Sequence, residues 1–110
     1  MAIISNLTID QGTTFTANID CTSSDNTALN LTAYTVSGQL RKTYDSTTFT
    51  SFTAIVANAL TGRLSISLTP VQTGALSAGR YVYDVEITDA AGVITRVVEG
   101  QVEITPGVTR

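Results

Sequence analysis

Apolar and polar residues alternate with period two along Gly79 to Ile104. Tyr81, Tyr83, Val85 and Ile87 fall on one side of an extended chain. Arg80, Asp84, Glu86 and Thr88 fall on the other, with Val82 the exception. This is the signature of a strand with one dry and one wet face. Asp89 to Gly92 reads as a turn, so the whole stretch predicts one long β-hairpin. A loop of Ala90, Ala91 and Gly92 sets Asp89 opposite Val93, Ile87 opposite Thr95, Glu86 opposite Arg96 and Val85 opposite Val97. That register pairs unlike charges on the wet face and apolar groups on the dry one. It also places Gly92 where a three-residue loop needs positive φ. Beyond Val97 the pattern changes phase, because Val98, Gly100, Val102 and Ile104 continue in the other one. A strand changes phase only through a bulge or a bend, so one is predicted between Val97 and Gly100.

The remaining chain reads as shorter pieces of the same kind. Ile3 to Ile9 is an extended segment ending in the turn signal Asp10-Gln11-Gly12. Thr13 to Ile19 and Tyr34 to Arg41 alternate as strands, separated by a polar loop from Asp20 to Asn30. Lys42 to Thr48 is a second polar loop, and Thr48 to Ala57 a fourth, less regular strand. Arg63 to Leu68 is a fifth, with Leu64, Ile66 and Leu68 inward. Thr69-Pro70-Val71-Gln72 carries a helix start: a capping Thr, Pro at the first helical position and Gln to close a capping box. Gly74 and Gly79 limit that helix to one or two turns, about 70–76. Pro106 ends the last strand. About seven strands at even spacing predict an all-β, immunoglobulin-like sandwich of antiparallel strands, in a single domain over 1–110. A small open barrel is the alternative. With no Trp and one Cys, the antibody-type core is excluded.

Composition narrows this further. The 110 residues are 43% hydrophobic and only 14% charged, which supports an ordered core without a metal or disulfide. The net charge is −3 and no basic patch occurs, so a nucleic-acid partner is not expected. No stretch is long and apolar enough for a membrane span, and no secretion signal is read at the N-terminus. Cys21 reads as a small buried thiol.

Little chemistry stands out. The absence of His removes histidine metal sites and histidine-based triads. Asp84 and Glu86 share a strand face, with Glu99 and Glu103 near in register, and read as a salt-bridged outer face rather than a catalytic carboxylate pair. Asp20, Asp25, Asn26 and Asp45 follow no calcium-loop spacing and read as turn residues. No catalytic, metal or cofactor site is expected. Tyr34, Tyr81 and Tyr83 are in phase with core positions. Tyr44 is not: it lies in a polar loop, where an exposed aromatic can anchor an interface.

The runs Leu31 to Arg41, Gly62 to Thr69, Thr73 to Leu76, Ala78 to Glu86 and Val98 to Pro106 resemble the small immunoglobulin-like domains of tailed-phage virions. The N-terminal domain of baseplate upper proteins is among these. The resemblance covers about Gln11 to Arg110 and its motifs are structural. It implies a virion component, made in the host cytoplasm and held by contacts with other virion proteins and with further copies of itself. Tail, baseplate and head surface are all compatible with it. The long C-terminal extension of such scaffolds is missing from this sequence, which leads us to expect a small accessory protein. A module for a host-surface glycan or receptor, built on Tyr44 and the polar loops, is the alternative.

The N-terminal segment is one candidate for the expected contacts. Ala2 to Ile9 has no Lys, Pro or Gly to guard a sheet edge. Ile3, Leu7 and Ile9 share one face and Ile4 the other. Two readings stay open: docking on a neighbouring subunit, or service as the first strand of its own sandwich. The candidate interface residues are Ile3, Ile4, Leu7, Tyr44, Asp89 and Gly92.

Overall fold

The computed structural model describes residues 3–22, 27 and 29–107. The hairpin spans β8 (Gly79–Thr88) and β9 (Ile94–Thr105) and forms the middle of a six-stranded sheet. Tyr81, Tyr83, Val85 and Ile87 are buried, as the alternation predicts. Glu86 pairs with Arg96 and Ile87 with Thr95, but Val85 stands opposite Val98 rather than Val97. Val97 is the extra residue of a β-bulge. The bulge reconciles the two phases, so Val98, Val102 and Ile104 all reach the core. In the turn, Asp89 Oδ1 accepts from the N–H groups of Ala91 and Val93, each at 2.9 Å. Gly92 takes φ +89°, the left-handed conformation that loop requires.

The N-terminal segment is a strand of its own sheet. β1 (Ile3–Ile4) and β2 (Leu7–Asp10) both run parallel to β9. Ile4 stands opposite Glu99 and Leu7 opposite Val102, so one register runs through both pieces. The break at Ser5 and Asn6 is filled by a side chain, since Asn6 Oδ1 accepts from Gln101 N–H at 3.0 Å. Ser5 N–H donates to Glu99 O at 2.9 Å, and Tyr83 Oη donates to Ser5 O at 2.6 Å. The expected all-antiparallel pairing is therefore corrected at this edge.

β4 (Thr35–Arg41) and the two-residue β5 (Thr50–Ser51) complete the larger sheet, in the order β1-β9-β8-β4-β5 with β2 also on β9. The smaller sheet is β3 (Phe15–Asp20), β7 (Arg63–Leu68) and β6 (Thr53–Asn58), in the order β3-β7-β6. The expected single strand over 48–57 is split at Phe52, where the chain leaves one sheet for the other. Phe52 N–H donates to Gly38 O at 2.9 Å. Its ring lies 6.2 Å from that of Phe15 and edge-on to Tyr83 at 6.0 Å. Nine strands thus form among the described residues, against the expected seven, because two sequence segments are interrupted. The two sheets pack face to face over one core. Leu64, Ile66 and Leu68 come from one side, and Leu40, Val85, Val102, Ile104 and Ile9 from the other.

α1 (Pro70–Gly74) is the expected short helix, and both halves of its capping box form. Thr73, fully buried, donates its hydroxyl to Thr13 O at 2.7 Å and ties α1 to the β2–β3 turn. Gln11 Nε2 donates to Leu76 O at 2.7 Å beside it.

Candidate functional site

The outer face of the larger sheet carries most of the charged strand residues. The registers of β1, β9, β8 and β4 align Ile4, Glu99, Asp84 and Gln39 in one row across it. Arg96 reaches into this row from beside the bulge. Its guanidinium lies 3.3 Å from Asp84 Oδ2 and 3.1 Å from Glu99 Oε2. The Glu99 hydrogen bond and then the Asp84 charge raise the Arg96 pKa further. Glu86 faces Arg96 in register. Asp84, Glu86 and Glu99 therefore form a surface ion network around one arginine, while Glu103 stands apart, opposite Arg80. The network's members are exposed or half-exposed, so it contributes little stability.

Tyr44 stands over this face. Lys42 to Phe49 makes a tight turn in which Ser46 N–H donates to Thr43 O at 3.1 Å, and Thr43 N–H donates to Ser46 Oγ at 3.1 Å. Arg41 fastens the turn to the sheet. It donates to Ser46 O and to Gln39 Oε1, and lies 4.9 Å over the Phe49 ring. Tyr44 is left 80% exposed on a pinned turn. Beneath it lies a hollow of about 310 Å³ whose lining includes Gln39, Val82, Asp84, Glu86 and Glu99. An aromatic ring beside carboxylate, amide and guanidinium groups can stack on and hydrogen-bond a polar ligand. Among the described residues no group of three His, Cys, Asp or Glu is placed to hold a metal ion.

The other expected contact residues are spread over the molecule. Ile4 is 74% exposed on the same outer face, whereas Leu7 is half-buried against the core. Ile3 pairs in β1 opposite Val98. Asp89 spends its carboxylate on the hairpin turn, and Gly92 serves that turn's geometry. The apolar groups that the hairpin tip presents are instead Val93 and Ile94, 59% and 61% exposed. Leu60, on the β6–β7 turn at the same end, is also exposed. The sequence reading passed over these three, although Val93 and Ile94 lie just beyond the turn and outside the core alternation. Of the four polar residues weighed for calcium, Asp25 and Asn26 lie outside the described residues. Asp20 is taken by Arg63 at 2.9 Å, and that hydrogen bond holds its carboxyl below the usual range.

Cys21 is buried near the open end of the sandwich, beside a hollow of about 180 Å³ whose lining includes Tyr34, Ile87 and Val97. Burial, and then the Asp20 charge, pushes its thiol pKa up, which makes it a poor nucleophile.

No family model matches the chain, and no curated protein matches it. The solved structures that match include an internalin-like protein of Listeria monocytogenes, 19% identical with a TM-score of 0.48. The match covers 96% of this chain but only 28% of that one.

Proposed function

We propose that this chain is a structural component of a tailed-phage virion, immunoglobulin-like in fold, that acts through protein–protein contacts. The resemblance of its strand motifs to small virion domains supplies the setting. The observation that carries the contact role is the loop end formed by Leu60, Val93 and Ile94. There, large apolar side chains project from turns held by hydrogen bonds, a pre-organised surface with little ordering cost on binding. The partners are other virion proteins and further copies of the chain. The test is mass spectrometry of gradient-purified particles, followed by incorporation of Val93→Asp and Ile94→Asp variants. The chain is expected in the particles at a fixed copy ratio, with lower occupancy for both variants at unchanged melting temperature. Particles that lack the chain would sink the proposal.

A second reading rests on Tyr44 and the hollow beneath it. In it the outer sheet face takes a host-surface glycan, with Tyr44 stacking on a sugar ring and Gln39, Asp84 and Glu99 meeting its hydroxyls. A glycan array probed with the wild type and Tyr44→Ala tests this. Signal lost in the variant supports it, and no signal from the wild type removes it.

A further inference from the structure

The open edges of the two sheets differ in how they are guarded. β6 pairs only with β7, so its other edge has no strand partner among the described residues. Natural edge strands are blunted by charge, proline, bulges or shortness. β2 and β3 end on Asp10 and Asp20, and β5 has two residues. β6 reads Thr-Ala-Ile-Val-Ala-Asn, with no charge, no proline and no glycine, and its one register shift lies at its far end. In its middle Ile55 is 55% exposed on the outer face. On that face Ile55 has uncharged neighbours in Ser65 and Ser67 on β7, then Thr16 and Asn18 on β3, and the charges nearest to it, Arg63 and Asp20, are spent on each other at the end of the sheet. Depletion of charge is the compositional mark of an interface core.

We infer that β6 is a homotypic pairing edge, on which β6 of a second copy adds antiparallel to make one six-stranded sheet. A second copy is the occupant that the edge itself selects, for two reasons. An antiparallel two-fold pair is isologous, so the strand must suit its own reverse, and an uncharged strand brings no like charges together. Centred on Ile55, the pair sets Ile55 against Ile55 of the second copy and Ala54 against Val56 of the second copy. The outer-face pair then buries the large exposed apolar side chain of β6, and the inner-face pair carries the core across the junction. The edge's free N–H and C=O groups are satisfied by the same step. This pairing stands independently of the virion reading.

Sedimentation equilibrium over a wide concentration range tests it, with Ile55→Lys as the variant and circular dichroism as the check on folding. The wild type is expected to dimerise. Ile55→Lys sets two ammonium groups opposite each other and is expected to raise the dissociation constant at least about tenfold, with the spectrum unchanged. Ile55→Cys is expected to give a disulfide-linked dimer under mild oxidation, which Thr61→Cys, off the strand, does not. A wild type that stays monomeric to millimolar concentration overturns the inference. So does a dimer that survives Ile55→Lys, or one that is lost in Val93→Asp instead.

Discussion

Gly100→Ala tests how the N-terminal segment is held. A Cβ at Gly100 would lie 2.9 Å from the Ser5 carbonyl carbon and closer still to its oxygen. Ordinary carbon–carbon contact needs about 3.5–4.0 Å, so Ser5 must retreat by roughly 1 Å. Three hydrogen bonds depend on its present place: Ser5 N–H to Glu99 O, Tyr83 Oη to Ser5 O, and Gln101 N–H to Asn6 Oδ1. Each contributes about 1 kcal/mol net. Overpacking costs about 1–3 kcal/mol, and outright release of β1 costs about 3. We therefore predict a loss of about 2–3 kcal/mol, or about 10 °C in melting temperature for a domain of this size. Urea titration followed by circular dichroism measures it. The specific signature is in a second background: with the first six residues removed, Gly100→Ala costs less than about 0.5 kcal/mol, because the Ser5 and Asn6 atoms nearest the Cβ are gone. Equal costs in the two backgrounds, or no cost in the full chain, would refute the reasoning.

Three further predictions follow from local geometry. Gly62→Ala meets two obstacles, a φ of +72° and a Cβ 2.5 Å from Cys21 O and 2.7 Å from Leu29 O; it should cost over about 2 kcal/mol in urea titration, whereas Gly92→Ala, with open space around it, costs only about 1. Thr69→Ala removes the cap of α1 and should cost about 1 kcal/mol in the same assay. Burial raises the pKa values of Cys21 and Tyr83, an effect partly opposed at Tyr83 by its bond to Ser5. Because both folded values are raised, the stability these groups contribute is full below the ordinary thiol and phenol values and is lost as pH rises through the folded ones. Urea midpoints should therefore fall in alkali, less steeply in Cys21→Ala, and native Cys21 should be alkylated far more slowly than the unfolded chain's thiol.

What the sequence disclosed was local. The hairpin register from Glu86 to Thr88, the positive φ of Gly92 and the capping box of α1 each depend on residues a few positions apart, and each was read correctly. The bulge was legible as a change of phase, although its place at Val97 moves the partner of Val85 by one residue. The parallel docking of β1 and β2 was not legible. It depends on Ser5 lying against Gly100, a close approach between opposite ends of the chain that neither residue signals alone. The crossing at Phe52 was hidden in the same way, since its reason is the space left by Gly38 in another strand. The candidate site shows the same division. Tyr44 stood out as an aromatic without a core role, and Asp84 and Glu86 as a shared face. Only the tertiary structure brings them together with Glu99 and Gln39 around one hollow.

The central claim, a virion component held by protein–protein contacts, is tested most directly by immunogold electron microscopy of intact particles with an antibody against this chain. Gold at one recurrent location on tail, baseplate or head, reduced on particles assembled with Val93→Asp, is the predicted result. Intact particles that carry no gold, with the chain left wholly in the soluble lysate, would contradict it.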